Sequence, residues 1–410
     1  MRRRLSICYA APGHDLLASA GPTRNVLSLA RALAAHADVT VAFRRVLDAP
    51  AGEPFRALEL EPKAPARAGR ADDAAVRGAS AGEFLRYLAA LRRFVDGRGG
   101  GFDVVLEKSW LLSGYLARRC GRRGLPAAVV ENVVRVEGGT GGLARGLRAR
   151  VARAASGRLL RRAPLVIAET EELKRALVRH LGLAPERIEV IGLGVDADLF
   201  RPRDRSAARR ALGLDPAAPL MLYAGVLDRT HDLAPVLAAL RAAPRLALEL
   251  HVVGDGELRA RYEALAAGDA RVAFHGRVEH AAVPHWIAAA DLCLAPYDPA
   301  AFPDGEVAYS TLKIPEYQAC ARAVASVASG RVRALIRPGA TGFLLANDPA
   351  SWGALLFDLP PRERLDAMGR EARNTAPACC WADTALAYWS ACERLAGVRA
   401  AGAPAEPRPR

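Results

Sequence analysis

Two successive series of alternating apolar strands and helical segments run through this chain, and they leave it few possible folds. In the first series, residues 5–10 read as a buried strand and residues 12–23 as a loop rich in Gly, Pro and Ser. Val26, Leu29, Ala30 and Leu33 then recur at helical spacing over residues 25–35, and residues 39–43 form the next strand. A strand, a helix and a second strand in this order predict a parallel pair joined by a right-handed crossover. Strands at 102–106, 127–130, 165–168 and 188–191 and a helix at 111–119 continue the pattern. Thr170, ahead of Glu172 and Leu173, reads as the N-cap of a further helix.

Near residue 200 the polar run Arg201-Pro202-Arg203-Asp204-Arg205 interrupts the series. Strands follow at 220–224, 246–253, 272–275, 292–295 and 323–326, with helices at 234–240 and 257–265. The restart predicts two α/β domains with parallel sheets, 1–200 and 201–378, and the 410 residues suffice for both. The segment 379–396 is predicted to hold a closing helix, over 383–395, that packs back on the first domain. The tail 397–410, mostly Ala, Pro and Arg, is predicted to be disordered, and 65–78 reads as a similar loop of small and polar residues.

Composition removes several classes. No apolar run approaches the roughly 18 residues that cross a bilayer. The basic start, residues 1–4, leads into a first strand that contains no clear cleavage site, so a secretory signal is not expected. Seven cysteines form no C-x-x-C pair, which argues against a disulfide framework or a zinc site and for a reducing cytoplasm. The net charge is +14, yet only Lys63, Lys108, Lys174 and Lys313 of the 58 basic residues are lysine. That arginine- and alanine-rich balance fits GC-rich coding better than nucleic-acid binding. Arg145, Arg148, Arg150, Arg153 and Arg158, with Leu143, Leu147 and Val151 spaced by four, read as a basic amphipathic helix over 143–160. Such a helix either packs on its own sheet or touches an anionic membrane surface.

Candidate chemistry lies where helices open after strands, since the first N–H groups of a helix suit phosphates. The best stretch is Ser310-Thr311-Leu312-Lys313-Ile314-Pro315-Glu316-Tyr317. Ser310 and Thr311 are expected to cap a helix, and Pro315 fits its first turn. Glu316 is placed to accept hydrogen bonds from a ribose. An ordinary capped helix with a solvated glutamate is the plainer reading of the same residues.

At these residues the chain resembles the family-4 (group 1) retaining glycosyltransferases. Their Ser-Pro-Leu-Lys-Leu-x-Glu-Tyr type of run is followed by a strand and a Gly-rich loop. Here Ala323-Val324-Ala325-Ser326, Gly330 and Arg337-Pro338-Gly339-Ala340-Thr341-Gly342-Phe343-Leu344 follow in that order. Residues 12–33, 190–200, 253–258 and 272–278 and Trp381 also resemble family segments, so the likeness spans nearly the whole chain.

The resemblance implies a GT-B fold, two Rossmann-like doubly wound parallel-sheet domains facing across a cleft. It also implies transfer of a sugar from a nucleotide-diphosphate sugar to an acceptor hydroxyl, with retention and without a metal or cofactor. Donor-binding residues would be Gly21, Gly225, Arg229, His231, Gly254, Gly276, Arg277, Val278, Thr311, Leu312, Lys313 and Glu316. Gly21, before Pro22, would let the first loop approach the diphosphate. Glu316 and Glu131 are the candidate catalytic carboxylates; Glu131 reads either as an electrostatic partner of a developing oxocarbenium ion or as a plain strand-end glutamate in water. Gly13, His14, Glu107, Lys108 and Asn132 would line the acceptor side; for Glu107 and Lys108 a structural ion pair is the competing reading.

Leu193 replaces a family Asn, Glu131-Asn132 stands where members often carry a His, and three further departures bear on the donor. The family's first glutamate is Ala308 here, with Glu306 nearby. Its phosphate-binding Arg and Lys fall on Val226 and His231, so Arg229 or Lys313 is expected to supply the charge. These departures keep two alternatives open, a nucleotide-sugar epimerase of the same fold and a non-catalytic nucleotide-sugar-binding partner. A nicotinamide oxidoreductase needs Gly-x-Gly-x-x-Gly, and Gly254-Asp255-Gly256-Glu257-Leu258-Arg259 ends in Arg. The acceptor stays open among lipid carriers, oligosaccharides and small natural products.

Overall fold

A computed structural model describes residues 4–17, 21–48, 51–61, 81–97, 101–134, 151, 154–375 and 380–402. The chain divides into two compact units, Met1–Gly194 with Trp381–Arg410, and Val195–Cys380. The junction therefore falls at Val195, ahead of the charged run expected to mark it.

Among the described residues the first unit holds seven parallel strands in the order β3-β2-β1-β4-β5-β6-β7. They are β1 (Ser6–Leu17), β2 (Asp38–Asp48), β3 (Arg56–Glu59), β4 (Val104–Lys108), β5 (Ala127–Glu131), β6 (Leu165–Ala168) and β7 (Ile188–Val190). β4 and β5 are buried at every position, the mark of a parallel sheet covered on both faces. The expected helix after Thr170 is present as Glu171–Leu181, with the Thr170 hydroxyl accepting from the Leu173 amide at 3.0 Å.

Several boundaries differ from expectation. β1 does not end at Ala10: after a register shift it pairs Asp15, Leu16 and Leu17 with β2, so half of the expected loop is strand. Pro12, Gly13 and His14 fall in that register shift, a bulge in β1, and pairing with β2 resumes at Asp15. The helix expected at 111–119 starts only at Tyr115 and runs to Gly121, because Gly114 adopts a left-handed φ of 88° just before it. A helix at Ala81–Gly97 and the strand β3 carried no sequence expectation. The closing helix spans Trp381–Gly402, so residues 397–402 of the expected disordered tail are helical. Its Ala385, Tyr388, Ala391 and Cys392 join the core made by β1, β2 and the helix Gly21–Leu33.

The second unit holds six parallel strands in the order β10-β9-β8-β11-β12-β13. They are β8 (Leu220–Ala224), β9 (Glu249–Val253), β10 (Val272–Gly276), β11 (Leu292–Ala295), β12 (Ala323–Val327) and β13 (Gly342–Leu345). Two cores flank this sheet, one around Trp352, Leu237 and Met368, the other around Trp286, Tyr317 and Phe200. β9 starts later than expected, at Glu249, and the helix after it starts at Arg259.

The basic segment 143–160 lies largely outside the described residues, although 154–160 are helical. The loop 65–78 lies wholly outside them. The six described cysteines form no disulfide.

Candidate functional site

The strand order in each unit reverses beside its first strand, β1 in one and β8 in the other, where open parallel sheets place their ligands.

In the second unit the loop after β8 begins at Gly225 and the helix Lys313–Ala319 follows the loop after β11. Lys313 runs back to the end of β8. A Cβ on Gly225 would stand 2.9 Å from the Lys313 ammonium, so a larger residue there would push the lysine end aside. Tyr223 and Tyr297 flank that ammonium, with ring centres 5.2 and 5.3 Å away. Burial pushes the Lys313 pKa down to about 8, partly offset by the negative charges of Asp228 and Glu316. Glu316 sits in the first turn of the same helix, half-buried. Lys313 and Glu316 thus put a cation and a carboxylate on one helical turn at the carboxyl end of the sheet.

The expected cap is absent. The residue before the helix is Leu312, and the Thr311 hydroxyl bonds to Tyr297 instead. Thr311 is buried and holds a tyrosine that frames the lysine. Arg229 is exposed and pairs with Glu257 at 3.5 Å.

His231, expected among the donor-binding residues, has both ring nitrogens engaged inside the unit. Its ring is buried, with Nδ1 2.9 Å from Asp228 Oδ1 and Nε2 3.0 Å from the Tyr309 hydroxyl. Burial and the charge of Lys313 push its pKa down to about 4, so the ring is neutral at pH 7. Burial raises the Asp228 pKa, but hydrogen bonds from His231 and Thr230 more than offset this and hold it at about 2.

Gly254 and Gly276 have structural reasons to be glycine. A Cβ on Gly254 would lie 1.8 Å from the Gly225 carbonyl oxygen. The Gly254 amide donates to the Gly276 carbonyl at 2.7 Å, and Leu227 donates to Asp255 at 3.0 Å. The loops after β8 and β9 are therefore laced together through main chain. Arg277 is exposed and Val278 half-buried beyond β10. Glu306, beside the Ala308 departure, is tied away by the Gly330 amide and by Arg333 at 2.9 Å. A cavity of about 400 Å³ in this unit is lined by Pro219, Leu248, Asp291 and Phe357, at the amino ends of the strands and thus away from Lys313.

In the first unit Glu107, at the end of β4, is fully buried and faces inward. Its carboxylate accepts from Trp110 Nε1 at 2.7 Å, the Gly114 amide at 3.1 Å and the Ala117 amide at 2.8 Å. It caps the helix Tyr115–Gly121 and is neither a lining residue nor half of an expected pair with Lys108. Burial pushes its pKa up to about 7 against those hydrogen bonds. Asn132 accepts from the Ser109 hydroxyl at 2.6 Å, bridging the ends of β5 and β4. Lys108, Glu131 and His14 are all buried at the carboxyl end of this sheet. Gly13 and His14 lie within the extended β1, and Gly21 opens the helix Gly21–Leu33. The Trp110 ring that Glu107 fixes packs edge-on against Tyr87 at 5.9 Å, and the Tyr87 hydroxyl donates to the Pro12 carbonyl. This chain of contacts braces the strand at Gly13.

Sequence reasoning missed Tyr223, Tyr297, Tyr309 and Asp228. Nothing in the spacing marks these tyrosines, and only their closeness to Lys313 and His231 in the fold reveals a role. Among the described residues no cluster of three or more His, Cys, Asp or Glu side chains is arranged to hold a metal ion.

Comparison with known proteins decides the family. The Glycosyltransferase Family 4 profile matches residues 20–199, and the Glycosyl transferases group 1 profile matches residues 218–359. A D-inositol 3-phosphate glycosyltransferase of Geodermatophilus obscurus is 31% identical over 334 residues, covering 76% of this chain and 71% of that protein. The chain belongs to the family-4, group 1 glycosyltransferases. It is a glycosyltransferase enzyme with the GT-B fold. The fold is shared with sucrose-phosphate synthase of Thermosynechococcus elongatus, at a TM-score of 0.74 and 19% identity over 96% of this chain and 100% of that one. It is shared too with Anabaena Alr3699/HepE, solved with UDP and glucose, at 0.70 and 16% over 95% and 100%. Among the described residues no helix of this glycosyltransferase is long and apolar enough to cross a membrane.

Proposed function

We propose that this glycosyltransferase takes a nucleotide-diphosphate sugar in its second unit and transfers the sugar, with retention and without a metal ion, to an acceptor hydroxyl. The observation that carries the reading is the Lys313–Glu316 turn: an ammonium framed by Tyr223 and Tyr297 above Gly225, with a carboxylate one turn on. Lys313 binds the diphosphate and Glu316 the ribose hydroxyls. The Thr311 and Leu312 main chain lies beside the phosphates, and Gly276, Arg277 and Val278 lie along the base. A lysine ammonium at the leaving phosphate supplies the charge stabilisation that a metal ion supplies in many phosphate sites. In the transfer the bond from the anomeric carbon to the phosphate oxygen breaks and the bond to the acceptor oxygen forms on the same face. The acceptor proton goes to the departing phosphate, so no dedicated base is required.

The first unit takes the acceptor on this reading, with buried Lys108, Glu131 and His14 at the carboxyl end of its sheet. D-inositol 3-phosphate, in the name of the relatives at 31% identity, is the first acceptor to try. The deciding experiment measures binding of UDP, GDP, ADP and dTDP without added metal, to the wild type and to Glu316→Ala. One nucleoside diphosphate is expected to bind, and the variant to bind it roughly tenfold more weakly, from loss of charge-assisted hydrogen bonds. Equal affinity in a folded variant would remove Glu316 from the site. Turnover that persists in EDTA supports the metal-free mechanism, and turnover abolished by EDTA and restored by a divalent cation refutes it.

A further inference from the structure

His231 occupies the centre of the second unit's candidate site without presenting a free nitrogen to it, and its partners explain what it does instead. The loops after β8 and β11 pair where His231 and Tyr297 form an antiparallel bridge. The Asp232 amide donates to the Pro296 carbonyl at 3.0 Å, and the Asp298 amide to the Thr230 carbonyl at 3.1 Å. Asp228, ionised, also accepts from the Thr230 amide at 2.9 Å and hydroxyl at 2.6 Å. A carboxylate is an acceptor only, so the proton of the neutral imidazole sits on Nδ1. Nε2 is then an acceptor, and the Tyr309 hydroxyl donates to it. Tyr309 in turn stacks on Phe302 at 5.3 Å and meets Tyr297 edge-on at 6.0 Å.

The imidazole also packs against the two rings that frame the lysine, 5.1 Å from Tyr297 and 6.2 Å from Tyr223. We propose that Asp228, His231 and Tyr309 form a positioning chain that holds the Tyr223–Tyr297 frame and so presents the Lys313 ammonium to the donor. The inference rests on the donor reading above and deepens it. Burial first, and then the charge of Lys313, disfavour a second cation at 231. In this chain position 231 donates to Asp228, accepts from Tyr309 and stays neutral, and histidine does all three.

The chain contains four lysines, so a protein labelled with 13C at lysine Cε gives a spectrum of four signals to titrate. The Lys313 signal is the one lost in Lys313→Met. In the wild type without ligand it is expected to titrate near 8. Tyr309→Phe removes one hydroxyl and no charge. It is expected to raise that midpoint by about half a pH unit or more as water reaches the ammonium. The same variant should bind the nucleoside diphosphate roughly threefold to tenfold more weakly, the effect of one hydrogen bond, with less change in kcat. His231→Gln, which can donate to Asp228 and accept from Tyr309, should recover more of both values than His231→Leu. A Lys313 midpoint unchanged in folded Tyr309→Phe overturns the chain, as does tighter nucleotide binding by His231→Lys. The titration needs no ligand. If no nucleoside diphosphate binds the wild type, the donor reading fails while the lysine midpoints still judge the chain.

Discussion

Glu107 and Lys313 are both charged residues near the carboxyl end of a buried parallel sheet, and their fates are opposite. Glu107 is consumed by its own unit. The chain after β4 turns at once through Trp110 and Gly114 into a helix, and the indole and amide donors of that turn need an acceptor. Among the described residues Lys313 meets no carboxylate at salt-bridge distance. Its stem passes over Gly225 and its ammonium rests against two aromatic faces, which neutralise none of its charge. On the proposed reading Lys313 is kept for a ligand because its surroundings bury it without pairing it, whereas Glu107 is structural because nearby donors fill its capacity.

Glu107→Ala tests the structural half of that contrast and carries the largest expected effect. It strands three donors in the interior, so thermal or denaturant unfolding should report a loss of about 3 kcal/mol or more. Nucleotide affinity of the remaining folded protein should not move. Unchanged stability would return Glu107 to the list of lining residues.

Lys313→Met tests the other half. Nucleoside diphosphate binding, by calorimetry, should weaken roughly tenfold to a hundredfold, while stability stays within about 1 kcal/mol. The pH dependence sharpens this. The Lys313 pKa is lowered to about 8, and bound phosphate favours the protonated ammonium. Affinity should therefore hold below pH 8 and fall as pH rises above it, by at most about tenfold per unit. Lys313→Met should lose that slope.

Arg229→Ala is the smallest expected effect. Arg229 is exposed and its contact with Glu257 is a surface pair at 3.5 Å, so a change in affinity below about twofold is expected. A large loss would make Arg229 the phosphate cation and demote Lys313.

The fold was legible because apolar periodicity is local. β6, β8 and β11 occur at the expected positions, and Thr170 caps its helix, since short-range burial and capping decide these elements. β1 outran its expected end because pairing with β2 resumes at Asp15 beyond a bulge at Pro12, Gly13 and His14, which local turn preference alone does not show. Gly254 reads from sequence as a phosphate-loop glycine, but its contact with the Gly225 carbonyl is a meeting of two loops that no spacing encodes.

The sequence by itself determined that this is a two-unit α/β glycosyltransferase whose second unit carries Lys313 and Glu316 on one helical turn. Tertiary structure alone decided that His231 turns inward, that Tyr223 and Tyr297 frame Lys313, and that Glu107 is spent on capping. The physical reason is range. Strand and helix follow from neighbours a few residues apart. The protonation and direction of a charged side chain follow from desolvation and from partners that only the folded chain brings within hydrogen-bonding distance.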